Sequence, residues 1–197
     1  MMLKKGLFLL AIGVFLIGCS TKVTRVQSDS TMDLTGRWND ADSRLVAEEM
    51  IKDCLAQRWL FKWESENKRP VVIVGKIENK SHEHISTETF VKDVQRALLN
   101  SGKVEFVADK NERDQIRDEK SDQAANASAM TAKSSGEEAG ADLMMIGTIN
   151  TIVDQEGKNA VVFYQTNMEL VEIESHKTVW IGEKKIKKYV ERSNTKF

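Results

Sequence analysis

Pro70-Val71-Val72-Ile73-Val74-Gly75-Lys76-Ile77 is a β-branched run entered through the single proline of the chain and left through Asn79-Lys80-Ser81. Proline is accepted at the start of a strand, and a short apolar run bounded by turn residues reads as a buried strand. On its N-terminal side, from Asp40 on, Ala47, Met50, Ile51, Cys54 and Leu55 recur at i, i+3, i+4, i+7 and i+8. Trp59 continues that face, which predicts a helix of about five turns. Trp59, Phe61 and Trp63 then make an aromatic patch before the polar Glu64 to Arg69. The patch is expected as a lid over the core, with a partner-binding surface as the alternative.

On the C-terminal side Phe90, Val94, Ala97 and Leu98 mark a second helix. Ser86 is its expected N-cap, Ile85 and Phe90 a hydrophobic staple, and Gly102 the C′ residue. Lys103 to Val107 reads as a short strand, and Asp109-Lys110-Asn111-Glu112 resembles a capping box opening a third helix. That third helix has little to bury. Between Ala108 and Asp142 the only large aliphatic or thioether residues are Ile116 and Met130, while Arg113, Arg117, Asp118, Glu119, Lys120 and Asp122 crowd the first half. A loosely packed helix, a mobile loop and a short helix ending near Gly140 are expected, presenting a solvated face or an interaction surface.

The last third is β. Leu143 to Ile146 is a buried run passing into Thr148 to Ile152, and Asp154 to Lys158 is the expected turn. Tyr164, Thr166, Met168 and Leu170 then alternate with Gln165, Asn167 and Glu169, the pattern of a half-buried antiparallel strand. After a turn at Glu174 to Lys177, Val179-Trp180-Ile181 opens a last strand that fades into a basic tail, Lys184, Lys185, Lys187 and Lys188. Lysines on an edge block unwanted strand pairing. The fold class is therefore α/β (α+β), a mixed sheet with helices packed mainly on one face.

Composition narrows the function. The 197 residues carry 29 Lys+Arg against 30 Asp+Glu, so no basic footprint for nucleic acid exists. Two cysteines make neither a disulfide framework nor a four-ligand zinc site. Cys54 falls in the helical pattern and reads as a small buried hydrophobe. His82-Glu83-His84 puts two imidazoles on one side of a strand or in a solvated turn, too few ligands for a metal. No nucleophile elbow, P-loop or dinucleotide fingerprint is present, so no catalytic residue, cofactor or small-molecule substrate is assigned.

The N-terminus supplies an address. Lys4 and Lys5 precede an apolar stretch, Leu7 to Ile17, well short of the ~20 residues of a spanning helix. That is the layout of a secretory signal, residues 1–18. Leu16-Ile17-Gly18-Cys19 resembles the lipobox of bacterial lipoproteins, which implies a lipid on Cys19 and a membrane tether. Without Lys4 and Lys5 the mature body keeps 27 of the 29 bases against 30 acids. Ser20, in place of Asp, implies sorting to the outer membrane. Residues 19–35 are polar and read as a flexible tether, and 36–197 as one globular domain.

In order and spacing, several pieces resemble the LpoB-type activators of penicillin-binding proteins. They are the lipobox, Gly36-Arg37-Trp38-Asn39-Asp40-Ala41-Asp42, the run Arg69 to Ser81, and Leu99-Asn100-Ser101-Gly102-Lys103-Val104. Glu112 to Arg117, Gly140-Ala141-Asp142 leading to Gly147, and Val179-Trp180-Ile181-Gly182 complete the set. The resemblance implies a body similar to the N-terminal domain of TolB, without a catalytic site. It also implies docking on the regulatory domain of a bifunctional penicillin-binding protein, from a lipid anchor facing the periplasm. Family contacts are polar and lie around the second and third helices. Arg113-Asp114-Gln115-Ile116 matches the family's Arg-x-Gln-aliphatic setting, so the resemblance assigns partner binding to Arg113, with Gln115 and Arg117 beside it. Better-known members carry a long Pro-rich tether, which this chain lacks. The alternative implied by the same domain type is a lipoprotein secretion channel of the curli-export kind.

Overall fold

The computed structural model describes residues 21–128, 130–133 and 136–192. Residues 1–18, read as a signal segment, and Cys19 lie outside the described residues. The chain divides into a unit ending at Ser30, whose described residues hold no helix or strand, and a compact body beginning at Thr31. The body contains α1 (Asp40–Leu55), α2 (Trp59–Ser65), β1 (Val71–Asn79), α3 (Thr87–Asn100) and β2 (Glu105–Phe106). It continues with α4 (Lys110–Asn126), β3 (Leu143–Glu156), β4 (Asn159–Glu172) and β5 (Thr178–Glu191). The strands form one mixed sheet in the order β2-β1-β3-β4-β5, parallel from β2 to β3 and antiparallel from β3 to β5. This is the expected α+β class.

One face of the sheet and one stripe from each of two helices make the core. Tyr164, Thr166, Met168 and Leu170 are all at most 1% exposed, as the alternation of β4 requires. With Val72, Val74, Leu143, Met145 and Trp180 they meet Val46, Met50, Ile51 and Cys54 of α1 and Phe90, Val94 and Leu98 of α3. In β1 a register shift between Val74 and Ile77 lets Ile77 join the buried row that Val72 and Val74 begin.

The helix boundaries follow local chemistry. Asn39 and Asp42 form a capping box on α1, and Asp109 and Glu112 form the expected one on α4. Ser86 caps α3 by accepting from the Thr89 N–H, and Ile85 and Phe90, the staple pair, are both buried. Gly102 follows α3 at φ +66, the left-handed turn that glycine makes without a Cβ penalty.

Four details depart from the sequence reading. The first helix does not run on through Trp59. It ends at Leu55 because the Trp59 indole N–H donates to the Cys54 carbonyl at 2.8 Å, satisfying a C-terminal acceptor, and the chain restarts as α2 with Leu60 buried. Of the aromatic patch, Trp59 packs against the core and Phe61 stays 60% exposed. Among the described residues no second, short helix follows α4 to end near Gly140, since the segment offers nothing to bury. Asp142 instead pins the sheet by accepting from the Val71 N–H at 2.7 Å and donating its own N–H to the Val71 carbonyl.

The lysine run is the fourth. β5 continues through it to Glu191, because the β3–β4 hairpin is long enough to pair every residue as far as Asn159. The strand's pleat turns Lys184 and Lys188 toward the helices and leaves Lys185 and Lys187 exposed. Lys184 Nζ lies 2.5 Å from a Glu49 oxygen. Earlier in the same strand, Gly182 allows the Trp180 ring to lie across it, where a Cβ would stand 2.1 Å from the indole.

Cys54 is fully buried, and burial pushes its thiol up to about 12. Thiolate is the reactive form. Cys54 is therefore expected to resist thiol reagents at pH 8 in the folded protein and to react at once in denaturant. Mass spectrometry after alkylation checks this, and fast labelling of native protein would contradict the packing described.

Candidate interaction surface

Helix α4 starts well and then buries nothing: none of its residues falls in the core. What it carries is charge held in a defined arrangement. Lys92 of α3 reaches Glu112 at 2.5 Å, which ties the first turn of α4 to α3. That hydrogen bond to Glu112 keeps the Lys92 pKa above its ordinary value.

Arg113 and Arg117 are one turn apart and share a face. Arg113 donates Nη1–H to the Ala108 carbonyl at 2.9 Å, and its Nε stands 3.9 Å from a Glu138 oxygen. Arg117 donates Nε–H and Nη2–H to the two oxygens of Glu138, at 2.7 and 2.8 Å, and Nη1–H to Asp114 at 2.7 Å. This is the planar two-pronged contact that a guanidinium makes with a carboxylate. Hydrogen bonding to Arg117 holds Glu138 below the usual carboxylate range and raises Arg117 in turn. Gln115, two residues from each arginine, projects elsewhere and lines a shallow groove with Glu112, Ile116 and Glu119. Of the three residues assigned by resemblance, the structure brings two together and adds Glu138. No sequence signal points to Glu138, which lies 21 residues beyond Arg117 in a segment without periodicity.

A second cluster fixes the entry to the body. Lys188 Nζ contacts Asp33 at 2.5 Å, Asp42 at 2.6 Å and the Arg37 carbonyl at 3.1 Å. Glu83 accepts from the Trp38 N–H at 3.3 Å and from the Tyr164 hydroxyl, which also donates to the Gly36 carbonyl at 3.2 Å. Burial and the bond to Glu83 raise the Tyr164 pKa. Trp38 packs edge-on against Phe90 and Tyr164, with centroids 6.0 and 5.6 Å apart. Gly36 to Asp42 is thus a structural clasp. Glu83 belongs to it, whereas His82, in the bend after β1, and His84, just beyond that bend, are exposed and not on a strand. His82 Nδ1 lies 3.3 Å from the Thr151 hydroxyl.

Among the described residues no group of three or more His, Cys, Asp or Glu is placed to hold a metal ion, and no helix is long and apolar enough to cross a membrane.

Comparison with known proteins gives a family. The model of the peptidoglycan-synthase activator LpoB matches residues 42–186. Among solved structures, the LpoB C-terminal domain from Salmonella enterica is 13% identical, with 74% of this chain and 98% of that one covered and a TM-score of 0.44. The C-terminal domain of Escherichia coli LpoB is 14% identical over 59% of this chain and 82% of that one, with a TM-score of 0.36. A lipoprotein of Neisseria meningitidis is 15% identical over 64% and 88%, with a TM-score of 0.37. No curated protein matches. The family match runs from the first turn of α1 into β5, and the chain belongs to the peptidoglycan-synthase activator family LpoB.

Proposed function

We propose that this protein binds the regulatory domain of a bifunctional penicillin-binding protein and raises its synthase activity, acting as a regulator and not as an enzyme. The observation that carries the proposal is the family match over nearly the whole folded body. Activation of this kind is differential binding: the lipoprotein favours the active conformation of the synthase by holding it more tightly than the inactive one. A tenfold rise in the active population ratio needs only about 1.4 kcal/mol of that difference. One exposed polar helix face supplies energy on that scale, and α4 with Arg113 and Arg117 is the surface assigned.

In this reading the protein is anchored by lipid on Cys19 in the outer membrane and faces the periplasm, as the lipobox and Ser20 suggest. The clasp bears on reach. With the body beginning at Thr31, Cys19 is twelve residue steps away along the chain, a reach of at most roughly 40 Å at ~3.4 Å each. The synthase domain it meets must therefore extend toward the anchoring membrane.

Glycan polymerisation by the same organism's purified bifunctional synthases, with and without this lipoprotein in mild detergent, tests the proposal. Saturable acceleration of at least severalfold is the expected result. Neither binding nor acceleration with any of those synthases would overturn it.

A further inference from the structure

Arg113 and Arg117 are engaged within the molecule, and by a residue that does not belong to their helix. Asp114 pairs with Arg117 from within α4 at i, i+3, a contact the helix makes by itself. Glu138 comes from the segment after the helix, residues 136–142, which holds neither helix nor strand. Both oxygens of Glu138 are taken up by Arg117, and the Arg113 guanidinium lies alongside one of them. Two arginines one turn apart, with a carboxylate seated across them, define the chemistry that this face recognises: a second acidic side chain would fit where Glu138 sits.

We infer that Glu138 is a built-in competitor, occupying in the free protein the position that an acidic residue of the partner takes in the complex. The inference rests on the reading of α4 as the synthase-binding surface. Three features fit a displaceable occupant. Glu138 and the residues on either side of it, 136–140, are all exposed, so displacing the segment uncovers no core. Arg113 keeps its bond to the Ala108 carbonyl when Glu138 leaves, which holds it in place for the incoming group. Arg117, at 49% side-chain exposure, is accessible from the solvent side. An exposed ion pair of this kind contributes little to folding, so its loss registers in partner affinity and leaves the fold unchanged.

The cost of displacing such a pair sets the size of the effect, about three- to fivefold in affinity. Glu138→Gln, which keeps shape and removes charge, is expected to tighten binding of the full lipoprotein to the synthase by that factor at low salt, with a melting temperature lowered by no more than about 4 °C. In an Arg117→Gln background the same substitution is expected to change nothing, because the competitor then has no site to occupy. Raising the salt concentration is expected to shrink the gain as the pair is screened. Unchanged or weaker binding of Glu138→Gln, together with loss of binding in Arg113→Glu/Arg117→Glu, would overturn the competitor while leaving α4 as the interface. If the double reversal also bound like wild type, the interface reading would fall and the competitor with it.

Discussion

Lys188→Ala is expected to destabilise the body by about 3–5 kcal/mol, the cost of breaking a buried charge pair by removing one partner. The Lys188 side chain is 9% exposed, and so is that of Asp42, whose carboxylate lies 2.6 Å from Nζ. Asp33, at 45% exposure, can turn to water once the lysine is gone. Asp42 cannot do so, because its carboxylate also accepts the Asn39 N–H at 2.9 Å in the α1 capping box. The substitution therefore strands a buried anion and loosens the start of the first helix together. Lys188→Met isolates the loss of the charge from the loss of packing, since it keeps the apolar stem. The pH dependence has a definite sign. Burial pushes the Lys188 pKa down, the hydrogen bonds to Asp33 and Asp42 outweigh it, and the net shift is upward from 10.5. A raised lysine contributes its full stabilisation below the unfolded value and loses it only as pH rises through the folded one. Urea unfolding of wild type and Lys188→Met should then show the same difference at pH 7 and pH 9. A difference under about 1 kcal/mol at pH 7 would mean that the cluster behaves as an exposed pair.

This cluster also shows what a sequence hides. The cap at Ser86, the turn at Gly102, the box from Asp109 to Glu112 and the alternation from Tyr164 to Leu170 are each written within a few residues, and each is where it was expected. Lys188 reads as one of a basic run because its partners lie 146 and 155 residues away. Nothing local separates a lysine that pairs inward from one that guards an edge. The end of α1 failed for a related reason: periodicity runs smoothly through Trp59, and only a hydrogen bond from its indole to a backbone carbonyl breaks it. On α4 the spacing of Arg113 and Arg117 already places both on one face and sets Gln115 apart, since residues two apart do not face each other on a helix. Glu138 was illegible, because a loop residue's position depends on the whole intervening chain.

Phe90→Ala is expected to cost about 3–5 kcal/mol as well, through packing alone. The ring is fully buried, sits at the N4 position of the staple with Ile85, and stands at 90° to the Trp38 ring. Truncation removes apolar contact with the core, undoes the staple on α3 and leaves Trp38 leaning over a void, so the clasp from Gly36 to Asp42 loses one wall. For a body of this size the melting temperature should fall by about 6–20 °C. Phe90→Leu, which fills most of the same space, is expected to cost under about 1.5 kcal/mol. Calorimetry gives the stabilities, and Trp38 near-ultraviolet dichroism reports the clasp. The functional consequence differs from the structural one. The tie between α3 and α4 runs through the surface pair Lys92–Glu112 at the other side of α3, so below its melting point Phe90→Ala should bind the synthase like wild type. Affinity that fell in step with stability would instead show that the interface depends on the packing of α3, and α4 would no longer suffice as the surface that carries binding.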